Sequence, residues 1–113
     1  MKDKLIVINL YKELISSYCK LSLTYPRKYY FLKDMLEDNL FRYLEDLYII
    51  NDLSNKSIRI NKKEEMIGKL KYLNYLFKCI NNLNIISDKQ YKVIYIKIEN
   101  IYKHFIGWVK SDR

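Results

Sequence analysis

Residues 27–53 read RKYYFLKDMLEDNLFRYLEDLYIINDL, and the spacing of their apolar members decides the fold. Tyr29, Leu32, Leu36, Leu40, Tyr43, Leu47 and Ile50 recur at intervals of three and four over three heptads, which lines them up on one face of a helix. Asp34, Glu37, Asp38, Glu45 and Asp46 crowd the outward faces of that helix. Pro26 stands just before it. A proline drives the preceding residue out of the α region, and its missing N–H costs nothing in a first turn, so the spacing predicts a helix over about 27–53 opening at the proline.

Three further periodic segments flank this one. Over about 3–23 the residues Val7, Ile8, Leu10, Tyr11, Leu14, Ile15, Tyr18 and Leu21 cover a wide apolar arc, with Lys12, Glu13, Ser16 and Lys20 opposite. The polar stretch 51–61 reads as the one long loop. Asn61-Lys62-Lys63-Glu64 has the form of a capping box, predicting a third helix over about 62–83 with Met66, Ile67, Leu70, Leu73, Phe77 and Ile80 inward. Ser87-Asp88-Lys89-Gln90 repeats that form. It opens a fourth helix over about 88–110 with Tyr91, Ile94, Tyr95, Ile98, Ile101, Tyr102, Phe105 and Trp108 on one face. One proline and two glycines leave little turn chemistry for a sheet. The expected architecture is all-α: a single domain, 1–113, forming an antiparallel up-down-up-down four-helix bundle.

Some apolar residues fall outside these stripes. Tyr30, Phe41 and Tyr48 lie on a flank of the second helix, with Phe31 and Ile49 further round, while Val93 and Ile96 point away from the core face of the fourth. Contiguous exposed apolar patches mark interfaces, so Tyr30, Phe41, Tyr48, Val93 and Ile96 are the expected oligomer contacts.

Charge is segregated along the chain. Residues 1–55 carry eight basic and eight acidic side chains, so the formal net charge of +8 arises wholly from the remainder. The run from Lys69 to Leu83 contains Lys69, Lys71 and Lys78 and no acid. A located surplus of this kind suits a polyanion, nucleic acid first of all. The expected contacts are Arg59, placed in the loop, Lys62, Lys63 and Lys69 at the start of the third helix, and Lys71, Asn74, Tyr75 and Lys78 along one side of it. Lysine meets phosphate as a point charge, asparagine donates to phosphate or sugar, and tyrosine stacks on bases; none of this reads sequence.

Catalytic constellations are not assembled by this sequence. His104 has no second histidine at helical spacing, Gly68 and Gly107 each stand alone, and the carboxylate pairs Glu37/Asp38, Glu45/Asp46 and Glu64/Glu65 are sequence neighbours that face different ways. The Glu-x-x-His pattern of di-iron bundles is missing. The expectation is a non-enzyme with no metal and no cofactor. Cys19 and Cys79 are too few and too far apart for a disulfide framework or a metal knuckle. Unbroken apolar runs such as Leu5–Ile8 fall far short of a bilayer span, and no secretory signal is evident, so a reducing cytoplasm is the expected setting.

Four stretches carry a resemblance: Tyr25-Pro26-Arg27-Lys28-Tyr29-Tyr30-Phe31-Leu32, Leu70-Lys71-Tyr72-Leu73, Ile85-Ile86-Ser87-Asp88-Lys89-Gln90-Tyr91 and Ile106-Gly107-Trp108-Val109-Lys110. Over about residues 8–111 the chain resembles the accessory variability determinant (Avd) proteins of diversity-generating retroelements. These belong to a wider four-helix family that includes the proteins encoded by intervening sequences in 23S ribosomal RNA genes. The resemblance implies a homopentameric barrel with a basic surface that binds the element's reverse transcriptase and its template RNA, or DNA, in support of mutagenic complementary-DNA synthesis. A stand-alone interaction module of the intervening-sequence type, without a polymerase partner, is the other reading.

Overall fold

Asn55 opens the longest helix of the molecule, and its side chain shows why the chain turns there. Its Oδ1 accepts from the backbone N–H of Ile58 at 3.0 Å, satisfying one of the donors that a helix start leaves without a partner. The computed structural model describes residues 2–112, with side chains from residue 4 onward. It contains four helices: α1 (Lys2–Cys19), α2 (Tyr30–Ile50), α3 (Lys56–Asn82) and α4 (Asp88–Ser111), with a single 3-10 turn (Arg27–Tyr29) before α2. No strand occurs among the described residues.

The second helix is shorter at both ends than the expected 27–53, running from Tyr30 to Ile50, and two other boundaries shift further. The predicted capping box at Asn61 does not form, because Asn55 caps the helix earlier and residues 56–61 continue α3 instead of forming a loop. At the other, α1 stops at Cys19 instead of near Leu23. The chain beyond it leaves the helix so that the ring of Tyr25 can be buried. There the Tyr25 hydroxyl lies 2.8 Å from that of Tyr18, which itself donates to Glu37 Oε2 at 2.8 Å. Tyr18 has one proton and spends it on the carboxylate, so Tyr25 is the donor to Tyr18.

Pro26 precedes the 3-10 turn, with its carbonyl accepting from Tyr29 N–H at 2.8 Å, and α2 proper begins at Tyr30. The α3–α4 connection is tighter. Asn84 adopts a left-handed φ of 61°, the N–H of Ile85 reaches the carbonyl of Ile80 and that of Asn84 the carbonyl of Asn81, a Schellman closure. Ile86 is then buried, and both halves of the expected Ser87/Gln90 capping box are present at the start of α4. Asn81, buried beneath this turn, donates to Asp88 Oδ1 at 2.9 Å and so fastens the two helices together.

Contacts run from each helix to the next, and α1 closes against α4; α2 and α4 lie across the bundle from each other, with no backbone approach within 8 Å between Cα atoms. The whole is consistent with a four-helix bundle. The core stripes lie where expected on α2, from Leu32 through Leu36, Leu40, Tyr43 and Leu47 to Ile50, and on α3 from Met66 to Ile80. Tyr11 and Tyr43 stack at the centre with ring centroids 4.7 Å apart. Tyr11 donates to the Leu40 carbonyl of α2, and Tyr43 donates to the Met66 carbonyl of α3 at 2.8 Å. Burial pushes both phenols far above the usual tyrosine range, so they remain neutral donors. Partner numbers fall as chain numbers rise between neighbours: Tyr11 with Leu40 and Tyr18 with Glu37, then Tyr43 with Met66 and Met35 with Tyr72.

A charged group sits in this interior. Lys63 is only 2% exposed, in a core position of α3 one turn before Met66. Its Nζ lies 4.3 Å from the centroid of the Trp108 ring and 2.9 Å from Asp112 Oδ2, with the Trp108 carbonyl at 3.4 Å. Arg59 grips the same carboxylate from the other side, Nε to Oδ2 at 2.8 Å and Nη2 to Oδ1 at 2.7 Å, while its Nη1 donates to the Leu53 carbonyl at 2.9 Å. The clamp joins the end of α4, the start of α3 and the loop between α2 and α3. Hydrogen bonds from Arg59 hold the Asp112 carboxyl well below the usual carboxylate range; partial burial opposes them, and Lys63 adds to them.

A depressed folded-state pKa contributes stability that is complete above the unfolded value of about 3.9 and is lost as pH falls below it. Asp112→Asn, which strands a buried ammonium, is expected to cost about 3 kcal/mol in urea unfolding at pH 7, with its gap to wild type narrowing below about pH 4. Lys63→Met keeps the Arg59–Asp112 pair and removes the buried charge, so it should cost clearly less. Tyr43→Phe should cost about 1 kcal/mol by the same measurement, because the Met66 carbonyl keeps its place in the α3 ladder.

Candidate nucleic-acid interface

The eight residues expected to meet a polyanion separate into three groups. Arg59 and Lys63 are both committed to Asp112; Lys63 is buried, and Arg59 is partly buried. Both expectations are corrected here. The sequence places Arg59 in a loop where the structure has helix, and it offers Lys63 as a surface contact because no local signal shows that Asp112, far along the chain, supplies its counter-charge.

Lys62 and Lys69 line a groove of about 700 Å³ between α2 and α3, but acids accompany them. Lys62 is 3.4 Å from Glu65, and Lys69 is 3.6 Å from Asp46 and 3.8 Å from Glu65. Gly68 forms part of the lining, and a methyl group added there would meet nothing within 4 Å. This mixed-charge groove offers a phosphate backbone little net attraction.

Lys71, Asn74, Tyr75 and Lys78 form the third group, and the structure adds α4 residues to them. Lys71 and Lys78 are exposed, and neither forms an ion pair among the described residues. Each ammonium is instead held over a tyrosine ring of α4, Lys71 at 5.7 Å from the centroid of Tyr102 and Lys78 at 4.8 Å from that of Tyr91. The Lys78 ammonium also donates to Asn81 Oδ1 at 3.2 Å. Tyr91 donates to Asn74 Oδ1 at 3.2 Å, so the Asn74 carbonyl oxygen is engaged in the seam and its NH2 is the donor end of the amide. Its ring lies 6.1 Å from that of the exposed Tyr95. Tyr75, 62% exposed, stands beside them on α3.

The α3–α4 seam is therefore a strip of fixed lysine heads between tyrosine rings, with Glu99 as the one acid beside the small cavity under Lys71. Sequence periodicity assigned Tyr91, Tyr95 and Tyr102 to the core face of the fourth helix. In the structure Tyr95 is exposed and the other two are half-buried at its margin. A signal for this was present: these tyrosines sit at the edge of a stripe whose centre is isoleucine, phenylalanine and tryptophan, where an amphipathic ring packs its body and leaves its hydroxyl wet.

The expected oligomer contacts Tyr30, Phe41, Tyr48, Val93 and Ile96 are all exposed. His104 is half-buried, with Nδ1 3.0 Å from the Asn100 carbonyl of the preceding turn. Cys19 and Cys79 are free thiols. Among the described residues no group of three or more His, Cys, Asp or Glu side chains is placed to hold a metal ion, and no helix is long and apolar enough to cross a membrane. No family model, no curated protein and no solved structure matches this chain.

Proposed function

We propose that this chain is a non-enzymatic nucleoprotein scaffold, a basic homo-oligomer that binds RNA along the α3–α4 seam. The observation that carries the reading is the pair Lys71 and Lys78, exposed, free of acidic partners among the described residues and braced over Tyr102 and Tyr91. Bracing lowers the conformational entropy that a flexible lysine loses on meeting phosphate. Tyr75 and Tyr95 then offer exposed rings for stacking, and Asn74 an amide donor. The falling partner numbers between neighbouring helices support an antiparallel up-down-up-down bundle, whose elongated sides suit lateral assembly.

The sequence resemblance extends this reading to an accessory protein of a diversity-generating retroelement. The scaffold would be a cytoplasmic homopentamer that gathers reverse transcriptase and template RNA, or DNA, for mutagenic complementary-DNA synthesis. Five copies would raise the formal charge of +8 to about +40, a strong attraction for a polyanion.

Lys71→Glu combined with Lys78→Glu should weaken binding of a structured RNA at least tenfold and flatten the slope of log affinity against log salt by about 1.4, at unchanged thermal midpoint. Lys62→Glu with Lys69→Glu, which alters the ion-paired groove, should change affinity far less. Equal RNA affinity for wild type and the Lys71/Lys78 variant would overturn the placement. An oligomer that ignores RNA even at low salt would favour the stand-alone interaction module.

A further inference from the structure

A small cavity in the α3–α4 seam is bordered by two opposite charges that do not pair. Its volume is about 120 Å³, and its lining is Leu70, Lys71 and Asn74 of α3 with Ile98, Glu99 and Tyr102 of α4. Leu70 and Ile98 are buried and form an apolar floor, while Lys71 and Glu99 are exposed at the mouth. Neither Lys71 nor Glu99 forms an ion pair among the described residues, although Lys103 stands one turn beyond Glu99. A cation and an anion held apart across a cavity suit a ligand that is anionic at one end and donates hydrogen bonds at the other.

The walls narrow the choice. A cavity of about 150 Å³ admits one benzene molecule, so a space of this size takes a single six-membered ring and not a fused pair. The Tyr102 ring supplies an aromatic wall on which a planar group can stack. Asn74 Oδ1 is already occupied by the Tyr91 hydroxyl, which leaves the Asn74 NH2 to donate. Glu99, as a carboxylate, only accepts. The polar edge of the ring must therefore offer a donor to Glu99 and an acceptor to Asn74.

An unpaired pyrimidine of RNA meets these conditions, with its phosphate on Lys71. Lys71 lies 5.7 Å from the Tyr102 centroid, near the outer limit of about 6 Å for a cation–π contact, and is held less closely than Lys78 at 4.8 Å. It can therefore turn to a phosphate. Cytosine carries its N4 amino group beside the acceptors N3 and O2, and a carboxylate accepting from N4 is the contact that reads this base. Uracil puts O4 in that place, so two acceptors face each other. Its one donor, N3–H, reaches Glu99 only if the ring turns by one position, out of the register that Lys71 sets through the phosphate.

We infer that this cavity selects an unpaired cytosine, with Glu99 as the residue that determines the choice. The inference rests on the proposed binding of RNA along the seam, and it adds base selection to lysines and tyrosines that read none. It also gives a purpose to an acid in a cationic strip, where it weakens the attraction for phosphate unless it meets a base.

The test uses three fluorescent RNA nonamers, uridine throughout except for a central cytidine, uridine or adenosine, with binding followed by anisotropy at low salt. Wild type should bind the cytidine nonamer about tenfold more tightly than either of the others. Glu99→Gln introduces a group that both donates and accepts, so the cytidine and uridine nonamers should then bind within about twofold of each other. Helical content and melting serve as the folding control for this exposed position. Lys71→Glu with Lys78→Glu should weaken all three complexes. A wild type that does not prefer cytidine, or a Glu99→Gln variant that keeps the preference, would overturn base selection and leave the seam as an RNA surface. Binding of structured RNA but of no nonamer would do the same. A wild type that binds neither would overturn base selection and the RNA reading together.

Discussion

A single buried ammonium constrains much of this molecule. Lys63 occupies a core position of α3, and an ammonium there must be neutralised within the fold. Asp112 and the Trp108 ring meet that need, and both lie in the last turn of α4 or just beyond it. Once they are in place, the end of α4 can sit at only one height against the start of α3, and Arg59 ties the preceding loop to the same carboxylate. At the far end the Asn81–Asp88 contact and the Asn84 turn hold the two helices in the same register. Between these points Lys71 comes over Tyr102 and Lys78 over Tyr91.

The clamp also changes what the net charge means. The basic surplus of the second half is spread over three environments. Lys63 is internal and Arg59 is partly buried against the same carboxylate, Lys62 and Lys69 are balanced by Glu65 and Asp46, and the lysines of the seam and of the outer α4 face remain without acidic partners among the described residues. An internal cation stabilises only through its partner and attracts nothing from solution. A polyanion in contact with the surface would therefore meet the third group, which is why the proposed contact is placed on two lysines and their rings.

Apolar surface divides in a similar way. Tyrosine hydroxyls let α1 and α2 bury large rings while each polar atom finds a partner: Tyr11 on Leu40, Tyr43 on Met66 and Tyr18 on Glu37. No buried side-chain polar atom among the described residues lacks one. The interior is thus complete within one copy, and the exposed Phe31, Phe41, Ile49 and Ile96 are surplus to it.

Much of the architecture follows from the sequence read locally. Spacings of three and four placed the core stripes of α2 and α3, Ser87 with Gln90 marked the start of α4, and Pro26 marked the approach to α2, because periodicity and caps act within a turn or two of themselves. The early end of α1 and the early start of α3 were not legible: the first depends on Tyr25 reaching Tyr18, and the second on Asn55 doing the work expected of Asn61. The fate of the candidate site was decided further still from the local sequence. Whether a lysine is buried, ion-paired or laid over a tyrosine depends on residues brought to it from other helices. Sequence alone determined that the chain is helical, basic in its second half and overfurnished with apolar surface; tertiary packing alone decided which cations remain outside, since a charge is neutralised by proximity in space.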